Sequence, residues 1–547
     1  MRLIPAVLVG IFLGGCQITA KQESTDDSFL AAQYIDECDI APDVSDLAFA
    51  CENDSEGTRP VIHPVTELDE LITSATNQEP ELIVHEDLWQ QIRAGLTMEV
   101  PDNKRVSNQL NWYRKHPHYM QRVNKRAAPF LAHIVNDLEQ ADMPMEFALL
   151  PIVESAFDPF AYSHGRAAGM WQFIPGTGKR FGLKQNWWYD GRRDVMASTE
   201  GAIAYLKYLH KMFKGDWLHA VAAYNSGEGR VQRAIRKNKK AGKATDFWSL
   251  DLPRETRAYV PKLLALSHLL KNHQDMGFDW PKMAIEPITE VVDVGSQIDL
   301  AMAADWAGLT VKQLHALNPG FNRWATDPDG PHQLLLPIEK VDAFKVALGD
   351  VSDRQKLNWV RHKIKSGDSL LKLAKKYHTS VDVIRQVNEL KGNQIIAGKH
   401  LMIPVAQQSL DYYALSQDQR TLASQQKKRG SYQLQHEVKR GDTFWDISRA
   451  YKVNLRSLAK WNGMAPTDPL RPGQKLVIWV NQVSADQDDN AVMRTLTYTV
   501  RSGDSLARIA NKFSVKIADI ARWNQLDKKK YLQPGQKLKI FVDVTET

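Results

Sequence analysis

The stretch IVESAFDPFAYS, Ile152–Ser163, sets one carboxylate, Glu154, in a mostly apolar run. With MEFALLP ahead of it, Leu149, Leu150, Ile152, Val153, Ala156 and Phe157 flank the acid along the chain. Pro144 can open a helix here, and Pro151 is expected to kink or interrupt it, which places Glu154 near a helix end. Glutamates are almost never fully buried unless paired, and a partly desolvated carboxyl keeps its proton towards neutral pH. On this stretch alone a solvated helix glutamate is the better reading, so the surrounding chain has to decide.

Around the acid the apolar residues recur at three- and four-residue intervals. LWQQIRAGL, VSNQLNWYRKH and VNKRAAPFLAHIVNDLEQA precede it; STEGAIAYLKYLHKMF, LHAVAAYNSGEGRVQRAI and ETRAYVPKLLALSHLLKNH follow. Each reads as an amphipathic helix, and together they predict one mainly α domain over residues 85–285. At 547 residues the chain is too long for that domain alone; its length suggests about three or four.

The C-terminal half repeats. IKSGDSLLKLAKKY, VKRGDTFWDISRAY and VRSGDSLARIANKF align, with Gly367, Gly441 and Gly503 each 21 residues ahead of Asn388, Asn462 and Asn524. Gly398, Gly473 and Gly535 follow, then HLMIPV, KLVIWV and KLKIFV. Gly-Asp-Ser/Thr fits a strand ending in a turn with Ser or Thr capping the next helix. Each unit is therefore strand, helix, helix, strand, over 359–405, 434–480 and 497–543. Gln- and Ser-rich linkers are expected between them, around 406–430 and 481–494. A fourth, degenerate unit is expected over 290–340. Its Leu300, Ala304, Val311, Leu314 and Leu317 occupy the apolar positions of the first clear repeat, but Gln297 and Ile298 replace Gly-Asp, so it is read as having kept its core and lost its turn.

The N-terminus reads MRLIPAVLVGIFLGGC. A positive residue and a short apolar run ending in Leu-Gly-Gly-Cys fit an export signal over residues 1–15, too short to span a bilayer. It resembles a bacterial lipobox, which implies lipidation of Cys16 and, with Gln17 following, an outer-membrane address. Residues 16–84 read as a polar tether, with Cys38 and Cys51 free to pair or to remain thiols.

Three further blocks carry chemistry-bearing residues: GRAAGMWQFIPGTG with Gln172, VAAYNSGEGRV with Tyr224 and Asn225, and PRETRAYVPK with Glu255 and Tyr259. The order ES, G-x-x-Q, AYN-x-G, ET-x-x-YV resembles the family 1 lytic transglycosylases, which share the goose-type lysozyme fold. The repeats resemble LysM modules, which bind N-acetylglucosamine-containing glycans. The fold class expected is thus α+β, a mainly α lysozyme-like domain followed by small βααβ modules. The resemblance implies Glu154 as catalytic acid and base, with Ser163, Gln172, Tyr224 and Asn225 lining a glycan cleft and Glu255 and Tyr259 near its floor. It implies glycan contacts at Gly367, Asp368, Asn388, Gly441, Asp442, Asn462, Gly503, Asp504 and Asn524. Trp171 is expected to stack on a sugar face; Trp187, Trp188 and Tyr189 read as core.

Most glycosidases use two carboxylates. The family's reaction needs one, because the muramoyl C6 hydroxyl is the nucleophile and the product is a 1,6-anhydro sugar. Two alternatives stay open. A lysozyme-like muramidase needs a second carboxylate, with Asp158, Asp190 and Asp194 as candidates; the last two read more simply as surface residues. A non-catalytic wall anchor needs only the repeats. No cofactor or metal is expected: there is no H-E-x-x-H, and the 16 histidines are scattered. The expected partners are peptidoglycan strands and, through Cys16, a membrane, with the chain a monomer. A net charge of +6 does not demand a polyanion, nucleic acid binding does not fit an exported chain, and Arg236–Lys243 reads as a solvated loop.

Overall fold

A computed structural model describes residues 87–480 and 493–543, except 514, 516, 525 and 527–531. The expected signal, Cys16, Cys38, Cys51 and the tether lie outside the described residues. The first part is helical: α1 Leu88–Ala94, α2 Lys104–Lys115, α3 Pro117–Ala127, α4 Leu131–Gln140, a 3-10 turn Met145–Leu149, α5 Leu150–Ser155, α6 Pro175–Arg180, α7 Val195–Met212, α8 Trp217–Ser226, α9 Glu228–Lys240 and α10 Arg254–Lys271. Two expected single helices are each broken in two. Pro129 has no N–H for a continuing ladder and separates α3 from α4; Gly227, at φ 84°, ends α8 and redirects the chain into α9. Arg236–Lys240 belong to α9, where their cations face the negative helix end rather than a loop. In the middle lies α8, whose Ala220, Val221, Ala222 and Ala223 are fully buried against α7, α9 and α10. Small side chains there let three helices close on one another.

Four βααβ units follow, and the degenerate one is real. β1 (Thr289–Asp293) and β2 (Gln333–Pro337) pair antiparallel around α11 (Leu300–Trp306) and α12 (Val311–Leu317). Its turn is moved rather than lost. Gly295, at φ 71°, takes the bend, and Asp299 caps α11. The unit also runs past residue 340, since α13 (Ile338–Gly349) contributes the buried Val341 and Phe344 to its core. Trp188 and Tyr189 join the same core, which fastens the helical domain to it.

The first clear repeat comprises β3 (Asn358–Lys363), α14 (Leu370–Lys376), α15 (Val381–Val387) and β4 (His400–Val405). The linker beyond is structured. Tyr413 is fully buried and donates to Asp299, and α16 (Gln417–Gln426) lies before the next unit. That unit has β5 (Tyr432–Glu437), α17 (Phe444–Ala450), α18 (Leu455–Trp461) and β6 (Lys475–Val480). The last has β7 (Met493–Thr499), α19 (Leu506–Lys512), α20 (Ile517–Trp523) and β8 (Lys537–Asp543). β5 pairs with β7, so these two units share a four-stranded sheet in the order β6-β5-β7-β8.

The repeated asparagine is the staple of every unit. Asn388, Asn462 and Asn524 each donate to a carbonyl of the second helix and to a carbonyl of the last strand, and accept that same strand residue's N–H. Asn318 does the same in the degenerate unit. Asn462→Ala leaves both backbone groups of Val477 without their partner and is expected to cost the second repeat about 3 kcal/mol. Hydrogen exchange at β6 in the full chain measures this; unchanged protection there would show that the amide is dispensable.

Candidate active site

Pro151 does not kink α5 but starts it. It sits in the first turn, where a missing N–H costs nothing, directly after the 3-10 turn. The helix then stops hard. Ala156 and Phe157 both take left-handed backbone, φ 54° and 58°, and Ser155 Oγ donates to Met170 O at 3.0 Å. Glu154 is left on the last turn, partly buried, facing α10 and the end of α8.

Tyr259, buried on α10, donates its hydroxyl to Glu154 Oε1. Burial pushes the Glu154 carboxyl up to about 8; the Tyr259 hydrogen bond and Lys262 oppose that, while the nearby Glu255 charge adds to it. Burial also raises Tyr224 and Tyr259 well above the usual phenol range, and Glu154 adds to both shifts, which marks the three as one cluster. Burial lowers Lys262, against the pull of Glu255 and Glu154. The site therefore holds a carboxyl that stays protonated at neutral pH, beside a cation whose charge is itself costly.

Of the other expected residues, Tyr224, Asn225 and Glu255 connect to this cluster, while Ser163 and Gln172 make their hydrogen bonds within their own loop. Tyr224 donates to Trp171 O at 2.8 Å. Thr256 Oγ1 donates to Asn225 Oδ1 at 2.8 Å, and Asn225 reaches the exposed Glu255 at 3.5 Å, the limit of a hydrogen bond. Gln172, at φ 50°, folds its Nε2 back onto Gly169 O at 2.8 Å. Ser163 closes a tight loop: its N–H donates to Ala167 O, its carbonyl accepts the Arg166 N–H, and its Oγ accepts the Ala167 N–H. Gly169 passes so close to Arg192 that a Cβ would lie 1.8 Å from its carbonyl oxygen.

Other expectations are corrected by the packing. Trp171 is fully buried and donates Nε1 to Thr199 Oγ1 at 3.0 Å, so it belongs to the core and offers no face to a sugar. Asp190 is buried rather than on the surface and binds Arg192 at 2.8 Å. Asp194 caps α7, and Asp158 accepts the Phe160 N–H.

Comparison with known proteins places these blocks. The Transglycosylase SLT domain family matches residues 134–247, which include Glu154, Ser163, Gln172, Tyr224 and Asn225. The LysM-like domain of lytic transglycosylase MltD matches 288–353, and the LysM domain matches 362–404, 436–479 and 498–541. Membrane-bound lytic murein transglycosylase D of Escherichia coli (strain K12) is 38% identical over 404 residues, 72% of this chain and 86% of that protein. The chain belongs to the membrane-bound lytic murein transglycosylase D family. N-acetylmuramoyl-L-alanine amidase sle1 of Staphylococcus saprophyticus is 32% identical over 182 residues, 33% of this chain and 50% of its own. The solved structure of the 70 kDa soluble lytic transglycosylase Slt70 of Escherichia coli aligns over 33% of this chain and 34% of that one, at 22% identity and a TM-score of 0.21.

In this member of the transglycosylase D family, α10 lies beyond the matched catalytic span, yet it supplies Tyr259 and Lys262. Lys262 and Thr256 were missed from sequence. The signal was there: Glu255, Tyr259 and Lys262 fall at i, i+4 and i+7, one face of a helix. The nine residues expected to contact glycan also help to build the LysM units. Gly367, Gly441 and Gly503 turn at φ 84°, 96° and 85°. Asp368, Asp442 and Asp504 each accept a backbone N–H three residues back, at Lys365, Lys439 and Arg501. Asp368 and Asp442 also bind His362 and His436, and Asp504 accepts Tyr498 OH. Among the described residues, no group of three or more His, Cys, Asp or Glu is placed to hold a metal, and no helix is long and apolar enough to cross a membrane.

Proposed function

We propose that this chain cleaves the β-1,4 bond between N-acetylmuramic acid and N-acetylglucosamine in peptidoglycan, with Glu154 as both acid and base. The observation that carries the reading is the Glu154 carboxyl, pushed up by burial to about 8 and hydrogen-bonded by Tyr259. Glu154 donates its proton to the bridging oxygen, and the bond from muramoyl C1 to that oxygen breaks. Positive charge develops at C1. The carboxylate then takes the C6 hydroxyl proton as O6 closes on C1. Glu154 ends protonated, and no water is consumed. Because the nucleophile belongs to the ring, orientation replaces a second carboxylate, at effective molarities of roughly 10⁵ M or more.

Tyr259 keeps donating to Glu154 as it ionises, which stabilises the carboxylate left by the first proton transfer and fixes it for the second. Ser163, Gln172, Tyr224, Asn225 and Glu255 line the cleft. The LysM units hold the enzyme on the wall; in the second unit Trp445 is exposed on α17, beside Arg449, and offers a stacking face for sugar. Cys16 is the lipidated residue that tethers the chain to the periplasmic face of the outer membrane. The chain acts as a monomer.

Mass spectrometry of digested sacculi tests the reaction. Products ending in 1,6-anhydromuramic acid support it; reducing ends would assign the muramidase reading instead. The pH dependence has a defined sign. Glu154 must enter protonated, so kcat/KM on soluble glycan is expected to fall as pH rises through about 8, by about tenfold per further pH unit. A profile without that alkaline limb would mean that another group donates the proton.

A further inference from the structure

The loop that carries Ser163 is held from two sides. Its backbone belongs to the catalytic domain: Arg192 Nη1 donates to Arg166 O at 2.8 Å, and Arg192 is itself locked by Asp190. Two of its side chains also reach beyond that domain. Arg166 is at φ 68°, and its Nε lies 2.7 Å from Oδ1 of Asp468. Tyr162 OH lies 3.0 Å from both oxygens of the same carboxylate. Asp468 sits between α18 and β6, in the second LysM unit.

That carboxylate is set in place before it meets the loop. Asp468 N donates to Ala465 O, and Ala465 N donates to Asp468 Oδ2 at 2.8 Å, which closes a turn. Its side chain is only 12% exposed, so the pair with Arg166 is shielded from water on the aspartate side. The unit is seated independently by α16. Arg420 lies against the Phe160 ring at 4.9 Å, Asp418 pairs with Arg323 at 2.8 Å, and Gln425 donates to Asn462 Oδ1 and Lys475 O. Tyr162 and Arg166 thus bracket Ser163, and Tyr162 and Phe173 both bridge to Ala168, on either side of Gln172.

We propose that Asp468 is a positioning residue for the cleft: the second LysM unit, beyond holding glycan, sets the shape of the loop that presents Ser163 and Gln172. This rests on the assignment of those two residues to the cleft. Glu154 stands on α5, which Asp468 does not touch, so substrate binding and proton transfer respond differently to its loss. The interaction surface is intramolecular, and it ties the wall-binding unit to the cleft it serves.

The test uses the full-length protein with Asp468→Asn, with Arg166→Gln and with both together. Asparagine at 468 can still accept the Ala465 N–H that closes the turn, so the LysM unit is kept while the ion pair is lost. On a soluble, uncrosslinked glycan oligomer, Asp468→Asn is expected to raise KM about fivefold while kcat changes less than about twofold, the pattern of lost binding that is the same in ground and transition states. Hydrogen exchange over 160–168 rises, Arg166→Gln does the same, and the double variant is no worse than either single one. Wild-type KM and exchange in Asp468→Asn would overturn the proposal, as would effects that simply add in the double variant. If wild-type products lack anhydro ends but exchange still rises in Asp468→Asn, the reaction assignment fails while the contact between Asp468 and the loop stands.

Discussion

Glu154→Gln is expected to lower glycan cleavage by about 10³-fold or more, because one substitution removes the acid of the first step and the base of the second. Glutamine has the same shape and can still meet the Tyr259 hydroxyl, so the helix end and its core are preserved. Sacculus binding is expected to stay at the wild-type level, since the LysM cores are formed by other residues. The measurement is release of soluble muropeptides from sacculi, paired with a pull-down on the same sacculi. Cleavage surviving the change would remove Glu154 from the reaction. Binding lost along with cleavage would show instead that the substitution had damaged the fold.

Asp190→Ala is expected to destabilise the catalytic domain by about 3–5 kcal/mol, the cost of leaving buried guanidinium groups without their counter-charge. Arg192 and Arg193 are both buried, and Asp190 meets them at 2.8 Å and 3.8 Å. Burial alone would raise the Asp190 carboxyl, but the Arg192 hydrogen bonds and the charges of both arginines outweigh it and hold it below the usual carboxylate range. Its contribution is therefore complete above the unfolded value, about 3.9, and is lost as pH falls through the depressed folded value. Thermal unfolding at neutral pH measures the loss. A variant that kept its stability but lost cleavage would return Asp190 to candidacy as a water-positioning base, and with it the muramidase reading.

These two carboxylates show where reading along the chain succeeds and where it stops. Glu154 could be proposed because its block stands in a recognisable order with three others along the chain, although its own stretch alone reads better as a solvated helix residue. Asp190 could not. Nothing in WWYDGRRD says that the arginines two and three residues on will be buried with it. The same limit applies to Trp171, whose neighbours along the chain suit a cleft wall but whose ring is claimed by Thr199 on α7. The repeat asparagines were visible as a spacing, yet a spacing shows that a residue is needed without showing for what. Only the antiparallel pairing of each unit's two strands brings the last strand back to the second helix, where the amide can bridge them.

Most of the helices and the four βααβ units could be read from sequence alone, because periodicity and turn chemistry are properties of neighbouring residues. Tertiary structure alone decided that Tyr259 meets Glu154 across 105 residues, that Asp190 is spent on arginines, and that Asp468 reaches the loop at Tyr162 across 306. Hydrogen bonds and ion pairs form between whatever the packing of apolar faces brings together. Which polar groups those faces carry into contact is settled only when helices and sheets close on a common core.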